Sequence, residues 1–495
     1  MIEELTLSPS PPALDKQHAL GQFFTPGFVA NFMASLFESR WRHWNVLDAG
    51  AGQGVLSSAL VSYLCALHRK PESISITACE IDGTLIGSLQ TTLLECARQC
   101  KNAGIRFSAM VRNEDFTAYA TPLARDDWFA PSQPRFNAAI VNPPYRKIRS
   151  DSAERLLLRS AGIETGNLYA GFVALITKLL DENGELVAIT PRSFCNGPYF
   201  KPFRTEFLAK MSLRQLHLFD SRSAAFDHDD VLQENIIIRA IKNKDRPADI
   251  IISSSSDFPG DEATSRTVTY GDVVSPKDTE QFIHFVENET QDNARAAMSA
   301  LATPLSELGL SVSTGRVVGF RAKEFLRLQP AHGAAPLIHP CHFNGGFVHW
   351  PKENSRKPNA IVRNEQTRDL LVPAGIYVLV KRFTTKEERK RIVACIYDSQ
   401  QIAASLVGFE NHLNYFHIDG HGLPAALAKG LAAFLNSTVV DAYFRQFNGH
   451  TQVNATDLRN LSYPPKAKLE NLGRKISNPG VPQTELDALV KKELF

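Results

Sequence analysis

Glycine, amide and acidic side chains follow apolar stretches of this sequence at spacings that can bind a ligand. The segment Val46-Leu-Asp-Ala-Gly-Ala-Gly-Gln-Gly54 joins an apolar run to a helix-like stretch at 55–67. Glycine allows a tight turn and a close approach of the backbone to a ligand, as in nucleotide-binding loops. A purely structural turn carries the same glycines, so this motif alone leaves both interpretations open.

The motif Asn142-Pro-Pro-Tyr145 follows the apolar run 138–141 and is more specific. Two prolines fix the backbone and remove two N–H donors, so that carbonyl oxygens are left to face a ligand. With the Asn142 amide and the Tyr145 ring, these acceptors suit a planar amine, whose two hydrogens they accept and whose face the ring covers. A structural Asn-Pro turn is the alternative, which the glycine loop upstream disfavours.

Acidic residues follow two further apolar runs. Glu80 lies in the stretch 78–82 that follows the apolar run 73–77, where a carboxylate can accept hydrogen bonds from both hydroxyls of a ribose. A solvated loop acid is the alternative. Asp115 and Phe116 follow the apolar segment 107–111 and offer a carboxylate for an adenine amine and a ring to cover the adenine.

Alternating apolar and amphipathic stretches over residues 20–240 would position these motifs. The alternation predicts an α/β fold with a doubly wound sheet and helices on both faces. Residues 243–300 are polar and mixed, which predicts a linker. We therefore predict a site-bearing domain at 1–245, a connector at 246–300, and a second, α+β domain at 301–495.

Composition excludes several classes of protein. Lys and Arg number 54 against 52 Asp and Glu, a net charge of +2 over 495 residues, which argues against a polycation that coats nucleic acid but allows a local basic surface. No apolar run approaches the roughly 20 residues of a membrane span, and the N-terminus lacks the apolar core of a signal peptide. The seven cysteines form no CxxC pair that would suggest a metal site. We expect a cytoplasmic protein with reduced thiols.

The Asn-Pro-Pro-Tyr motif, the glycine loop and the upstream Gln22-Phe-Phe-Thr-Pro26 together resemble the S-adenosylmethionine-dependent DNA adenine-N6 methyltransferases. Their order is similar to the γ arrangement of the TaqI-type enzymes. Stretches 313–321, 378–383 and 447–456 resemble the PstI/BsuBI-type branch, so the resemblance covers nearly the whole chain. It implies a Rossmann-like class I methyltransferase sheet followed by a C-terminal target-recognition domain.

The resemblance also implies S-adenosyl-L-methionine as cofactor. Thr25 would meet its methionine carboxylate, and Asp48, Gly50 and Gly52 would line the methionine and sulfonium side. Gly54, the third glycine, is expected to serve the packing of helix against strand.

On the adenosine side of the cofactor, the resemblance assigns four residues. Glu80 would hold the ribose hydroxyls and Ile81 would pack on the adenine. Asp115 would read the adenine and Phe116 would stack on it.

The reaction that the resemblance implies is methyl transfer to adenine N6 in double-stranded DNA, with Asn142, Pro143, Pro144 and Tyr145 as the catalytic residues. Asn142 Oδ1 and the Pro143 carbonyl would accept the two amine hydrogens, so that the nitrogen lone pair points at the methyl group.

A paired base is out of reach inside a duplex, so the target adenine must rotate out of the stack. Tyr145 and Phe226 would stack on it, with Phe219 as the alternative to Phe226. Basic residues could contact the phosphates, although a charge run is also common on a solvated face. The candidates are Arg146, Lys147, Arg149, Arg316, Lys381 and Arg382.

A site-specific DNA methyltransferase implies a restriction–modification system. The chain shows no convincing PD…(D/E)xK cluster of a nuclease, so we expect the cognate nuclease to be a separate protein. Methylation of RNA adenine or of a protein glutamine is the alternative activity, and a catalytically idle binding module is a third. The early position of residues 22–26 and the long C-terminal region favour DNA.

Overall fold

The computed structural model describes residues 25–125, 135–219, 234–255, 264–276, 278–449, 451–476 and 480–495. The chain divides into two compact units, Met1–Glu287 and Asn288–Phe495. No helix within these described ranges combines the length and the apolar character needed to cross a membrane.

A nine-stranded sheet forms the centre of the first unit. Its strands are β1 (His43–Ala49), β2 (Ser73–Cys79), β3 (Arg106–Arg112), β4 (Phe136–Val141), β5 (Leu180–Pro191), β6 (Met211–Phe219), β7 (Asn235–Lys242), β8 (Asp249–Ser255) and β9 (Thr264–Thr269). Their order is β3-β2-β1-β4-β5-β7-β6-β8-β9. Strands β1 to β5 pair in parallel, and β7 lies antiparallel between β5 and β6.

Helices cover both faces of this sheet. They are α1 (Gly27–Ser35), α2 (Val55–Ala66), α3 (Ile86–Ala103), α4 (Phe116–Ala124), α5 (Ala153–Ser160), α6 (Leu168–Leu179), α7 (Lys201–Lys210) and α8 (Tyr270–Val273). Successive residues of β1 face opposite sides: Val46 packs in a core with α1 to α3, and Leu47 packs in a core with α4, α6 and α7. A parallel strand buried on both faces reads as a continuous apolar run, and the predicted α/β fold is confirmed.

The predicted connector at 246–300 needs correction, because β8 and β9 extend the sheet and the first unit continues to Glu287. Ile250 and Ile252 belong to the same core as α6. The polar appearance of this segment has a structural cause: the Ser253 and Ser255 hydroxyls lie 2.9 Å and 3.1 Å from the ring nitrogens of His217 on β6. These serines form hydrogen bonds with the ring nitrogens of a buried histidine, whereas the serines of a linker would face solvent.

The second unit combines two small sheets with helices, the α+β architecture expected. One sheet has the order β10-β20-β17-β18-β14-β13 and the other β11-β15-β12-β19-β16. The strands are β10 (Ser311–Thr314), β11 (Leu326–Arg327), β12 (Ala334–Ile338), β13 (Phe343–Asn344), β14 (Phe347–Val348), β15 (Ala360–Val362), β16 (Leu371–Pro373), β17 (Ile376–Lys381), β18 (Ala394–Asp398), β19 (Leu406–Phe409) and β20 (Leu413–His417).

The helices of this unit are α9 (Glu289–Ser299), α10 (Ala425–Leu435), α11 (Thr438–Phe447), α12 (Ala455–Arg459), α13 (Lys466–Lys475) and α14 (Gln483–Leu494). Helices α10 and α13 cross at Gly430 and Gly473, where an added Cβ would lie 1.8 Å from a carbonyl oxygen of the facing helix. Glycine is therefore required at this crossing.

Candidate active site

A pocket with about 720 Å³ of empty space lies at the carboxyl ends of β1, β2 and β4. This edge of a parallel sheet is where ligands of α/β folds bind. The lining residues are Gly50, Gly52, Cys79, Glu80, Ile81, Leu85, Glu114, Asp115, Phe116, Asn142, Pro144, Arg146, Leu168 and Phe172.

The glycine loop is fixed between β2 and the Asn-Pro-Pro-Tyr motif. The N–H groups of Gly50 and Ala51 both donate to the Cys79 carbonyl at 2.9 Å. Gly50 and Gly52 adopt φ angles of 80° and 56°, in the left-handed region that favours glycine. A Cβ on Gly50 would meet the backbone oxygen of Asn142 at 3.8 Å, so the two motifs are neighbours in space.

The Glu80 carboxylate is buried and held by backbone groups of two loops. Its Oε2 accepts a hydrogen bond from Gly52 N at 2.8 Å, and its Oε1 accepts one from Asp82 N at 2.7 Å. Ile81 stands at the rim of the pocket with 49% of its surface exposed. An ordered carboxylate beside an exposed apolar side chain can bind a ligand that has both hydroxyls and a flat ring.

Asp115 and Phe116 begin helix α4 at the pocket wall. Asp115 Oδ1 caps the helix by accepting hydrogen bonds from the backbone N–H and the hydroxyl of Thr117, both at 2.6 Å. The other oxygen, Oδ2, accepts no hydrogen bond from any described residue. Phe116 is buried, with its ring centroid 4.8 Å from that of Phe172.

The Asn-Pro-Pro-Tyr motif follows β4, with Asn142 and Pro144 on the pocket wall. Asn142 Nδ2 donates a hydrogen bond to Thr25 Oγ1 at 3.0 Å. The Tyr145 hydroxyl donates to the Ile189 carbonyl at 3.2 Å, and its ring makes an edge contact with Tyr169 at 6.2 Å between centroids. Burial raises the pKa of Tyr145 well above its usual value, so the phenol is neutral.

Two residues expected on the methionine side are not among the described residues that line the pocket. Thr25 accepts a hydrogen bond from Asn142. Asp48 is fully buried, and its Oδ2 accepts a hydrogen bond from Ser57 at the start of α2 at 2.6 Å. Burial raises the pKa of Asp48 to about 7, opposed by the Ser57 hydrogen bond and assisted by the charge of Glu80. The Asp48 carboxyl thus joins β1 to α2 through Oδ2, and its expected contact with the cofactor stays a prediction.

The basic residues after Tyr145 have different environments. Arg146 lines the pocket and forms an ion pair with Glu154 at 2.7 Å, and this hydrogen bond lowers the pKa of Glu154. Lys147 and Arg149 are exposed.

The two candidate stacking rings, Phe219 and Phe226, differ in whether the structure describes them. Phe226 lies outside the described residues. Phe219, its alternative, is buried in the core of α1 to α3, with its ring 5.1 Å from that of His217.

The basic candidates of the second unit differ in their burial and in their hydrogen bonds within the protein. Arg316 is exposed and donates to the Asp369 carbonyl at 3.1 Å. Lys381 and Arg382 are half-buried. Arg391, which ends the basic stretch 386–391, is buried and donates to Asn448 Oδ1 at 2.6 Å. Arg391 and Asn448 therefore form an internal network.

Sequence reasoning missed Leu168 and Phe172, which bring α6 to the pocket. Both are apolar residues of a helix that is buried on every side, so no signal in the sequence separates them from ordinary core residues. The bond between Thr25 and Asn142 was also missed, because it joins residues 117 positions apart.

A glycine loop after the first strand, an acid after the second and Asn-Pro-Pro-Tyr after the fourth, on a sheet with an antiparallel β7, define a class I methyltransferase. S-adenosyl-L-methionine is the cofactor of this class, and the Glu80 carboxylate, the exposed Ile81 and the Phe116 ring of the pocket suit its ribose and adenine chemically.

Comparison with known proteins identifies the family. The Eco57I restriction-modification methylase model matches residues 73–226. The chain is 43% identical to the type II methyltransferase M.PstI of Providencia stuartii over 96% of this chain and 93% of that protein. It is also 43% identical to M.BsuBI of Bacillus subtilis, over 98% and 96%. The chain therefore belongs to the type II methyltransferases of the PstI/BsuBI branch and is a DNA methyltransferase of a restriction–modification system.

Among solved structures, the type IIG restriction endonuclease BpuSI aligns with 98% of this chain and 63% of its own, at 12% identity and a TM-score of 0.43.

Proposed function

We propose that this enzyme transfers a methyl group from S-adenosylmethionine to adenine N6 in double-stranded DNA. The observation that carries the proposal is the position of Asn142 and Pro144 on the wall of the pocket that also contains Glu80 and the glycine loop. A set of acceptors for a planar amine beside a cofactor pocket supports methylation of an amine, because the two reactants are held next to each other.

The proposed cofactor contacts follow from the groups around the pocket. Each Glu80 oxygen already accepts one backbone N–H, and a carboxylate oxygen can accept a second hydrogen bond, here from a ribose hydroxyl. Asp115 Oδ2 would accept from the adenine amine, with Phe116 and Ile81 against the ring. Gly50 and Gly52 would leave room for the methionine part. The bound cofactor supplies an electrophilic methyl group on a sulfonium.

The amine of adenine is a weak nucleophile because its lone pair is delocalised into the ring. Asn142 Oδ1 and the Pro143 carbonyl would accept its two hydrogens and favour a pyramidal nitrogen. Since Asn142 Nδ2 donates to Thr25, we expect Oδ1 to be the atom offered to the substrate. Placement of these acceptors before the reaction lowers the barrier, and the methylated nitrogen then releases one proton to solvent, so that no charged base is needed before transfer.

The target adenine would leave the duplex at a cost of a few kcal/mol. Stacking offsets this by about 1–3 kcal/mol per ring contact, and we assign that role to Tyr145 and, as the second ring, Phe226. Lys147 and Arg149 would contact nearby phosphates, with Arg146 held by Glu154 at the pocket. In the second unit the proposed phosphate contacts are Arg316, Lys381 and Arg382. A separate restriction endonuclease would cleave the unmodified site.

Transfer of tritiated methyl groups to unmethylated duplex DNA, followed by nucleoside analysis, tests the proposal. We expect N6-methyladenine as the product. Asn142→Ala should lower kcat about 100-fold or more, because it removes an acceptor for the reacting amine, and leave the cofactor Kd within about twofold. Asn102→Ala, at an exposed position of α3, is the matched control and should retain full activity.

RNA and a glutamine-containing protein substrate are competing acceptors in the same assay. Family membership favours DNA over both. Preferential labelling of either competitor, a DNA product other than N6-methyladenine, or unchanged turnover in Asn142→Ala would each contradict the proposal.

A further inference from the structure

Segments that are far apart in the sequence of the second unit meet at one turn, residues 410–412, between β19 and β20. Asn411 N donates to the Val317 carbonyl at 2.9 Å. From the other side, Arg382 N donates to the His412 carbonyl at 2.8 Å, and its guanidinium donates to the Asn411 carbonyl at 3.2 Å. The turn is therefore held in place by backbone contacts from two neighbouring segments.

The turn residue His412 and the neighbouring Phe383 form a partly exposed aromatic pair. Phe383 is 41% exposed, although burial of a phenyl ring is usually favourable. Its ring lies 4.8 Å from the His412 ring in an edge contact, and the Arg382 guanidinium lies 5.7 Å from its centroid. Phe383 pairs through its backbone with Gln452. We name Arg382, Phe383 and His412 the Phe383 patch.

A buried carboxylate fixes the orientation of the His412 ring. Glu410 is buried, and it accepts hydrogen bonds from His412 N at 2.9 Å and Nδ1 at 2.8 Å. Because a carboxylate only accepts, Nδ1 carries the proton between them, and Nε2 is the ring atom left to bind a ligand. Glu410 is buried beneath the patch, whereas the rings of Phe383 and His412 are partly exposed.

We propose that the two rings of the Phe383 patch, Phe383 and His412, contact the bases of duplex DNA beside the phosphate contact of Arg382 and contribute to selection of the recognition sequence; this rests on the proposed function. An imidazole nitrogen can donate to or accept from a base edge, and an exposed apolar ring contacts a thymine methyl or a sugar. An orientation set before binding lowers the entropy lost on complex formation. A phenyl ring offers a phosphate neither a charge nor a hydrogen-bond donor, so the exposed Phe383 ring favours a base or sugar as its partner.

The test compares DNA affinities of the full-length enzyme and its variants. The recognition sequence is first identified by sequencing methylated plasmid DNA from cells that express the wild type. Phe383→Ala and His412→Ala should each raise the Kd of a duplex with that sequence by about tenfold, with a smaller change for an unrelated duplex. Cofactor Kd and thermal unfolding show that each variant remains folded.

Phe495→Ala is the matched control, because Phe495 has the same residue type and 42% exposure in the same unit; it should bind both duplexes like the wild type. Equal losses on both duplexes would overturn a role in base selection, and unchanged affinity in folded Phe383→Ala would overturn the DNA contact itself. These readouts are binding constants, so a wild type that binds its site but forms no N6-methyladenine would refute the proposed reaction and leave the patch standing.

Discussion

The hydroxyl of Thr25 accepts a hydrogen bond from the Asn142 amide and keeps its own proton to donate. The implied contact with the methionine carboxylate is therefore compatible with the observed bond. One side chain would then connect the cofactor to the amide that holds the substrate amine. This arrangement makes the rotamer of Asn142 depend on a residue that precedes the glycine loop.

We expect Thr25→Val to lower kcat by about tenfold, because the isosteric side chain can neither accept from Asn142 nor donate to a carboxylate. Thr25→Ser keeps the hydroxyl and should restore most of the turnover. Single-turnover rates and cofactor Kd values, measured separately, check this prediction. A weaker cofactor Kd with an unchanged rate would show that the bond to Asn142 does not position the amide.

Asp48 makes the stability of the protein depend on pH. Its folded-state pKa of about 7 exceeds the ordinary value of about 4, so the folded chain retains a proton that the unfolded chain has lost between these values. The free energy of unfolding therefore falls as pH rises from about 4 to about 7. Burial of the carboxylate at the end of β1 is the cause.

Replacement of Asp48 by asparagine removes this charge and keeps an acceptor for Ser57. We expect Asp48→Asn to gain stability relative to wild type as pH rises, by roughly 3–4 kcal/mol between pH 4 and pH 8. Urea unfolding across that range measures the difference. Asp151→Asn, at an exposed position, is the control, and parallel pH profiles for Asp48→Asn and wild type would contradict the prediction.

At the scale of elements, the third glycine of the loop joins two helices. Gly54 has a φ of 84°, and an added Cβ would lie 2.9 Å from Leu89 and 3.1 Å from Thr92 on α3. The expected packing of helix against strand is thus a contact between the start of α2 and α3. Gly104, at the end of α3, has a similar φ of 76° with nothing within 4 Å of a Cβ.

This pair separates backbone strain from steric overlap. Gly104→Ala should lower the free energy of unfolding by about 1 kcal/mol, from the left-handed φ alone. Gly54→Ala should lower it by about 2–4 kcal/mol, since overpacking against α3 adds to the strain. Urea unfolding of both variants provides the comparison. Equal decreases in the free energy of unfolding would show that α3 moves aside for the added Cβ without an energetic penalty.

The elements of the first unit were predictable where the residue pattern follows one physical rule. Apolar runs ended by glycine, Glu80 or Asn142 correctly indicate parallel strands whose carboxyl ends meet at a pocket. The rule fails where polar residues are buried with partners distant in the sequence. Ser253 and Ser255 resemble linker residues in the sequence, but in the fold their hydroxyls contact the buried His217. The contact of Asp48 with Ser57 likewise depends on the turn between β1 and α2.

At the scale of the whole molecule, the near balance of charge partly reflects internal pairing. Arg239 is buried and contacts Glu185 at 2.6 Å and Glu38 at 2.8 Å. Arg192 and Glu234 form a second buried pair at 3.0 Å. Pairs of this kind enter the net charge but present no field to DNA. The net charge of +2 therefore says little about the surface that contacts phosphates. Exposed local groups such as Lys147 determine the electrostatic attraction of DNA at that surface.

Strands β3 and β9, which end the nine-stranded sheet, have a consequence for synthesis of the chain. An open strand edge is a template for aggregation, and charged residues or short strands discourage it. Arg106 and Arg112 stand at the two ends of β3, and β9 reads TSRTVT with Val268 as its one buried residue. The first unit leaves the ribosome before the second. The charged ends of β3 and the polar β9 therefore discourage an incompletely synthesised chain from pairing with other chains through its sheet edges.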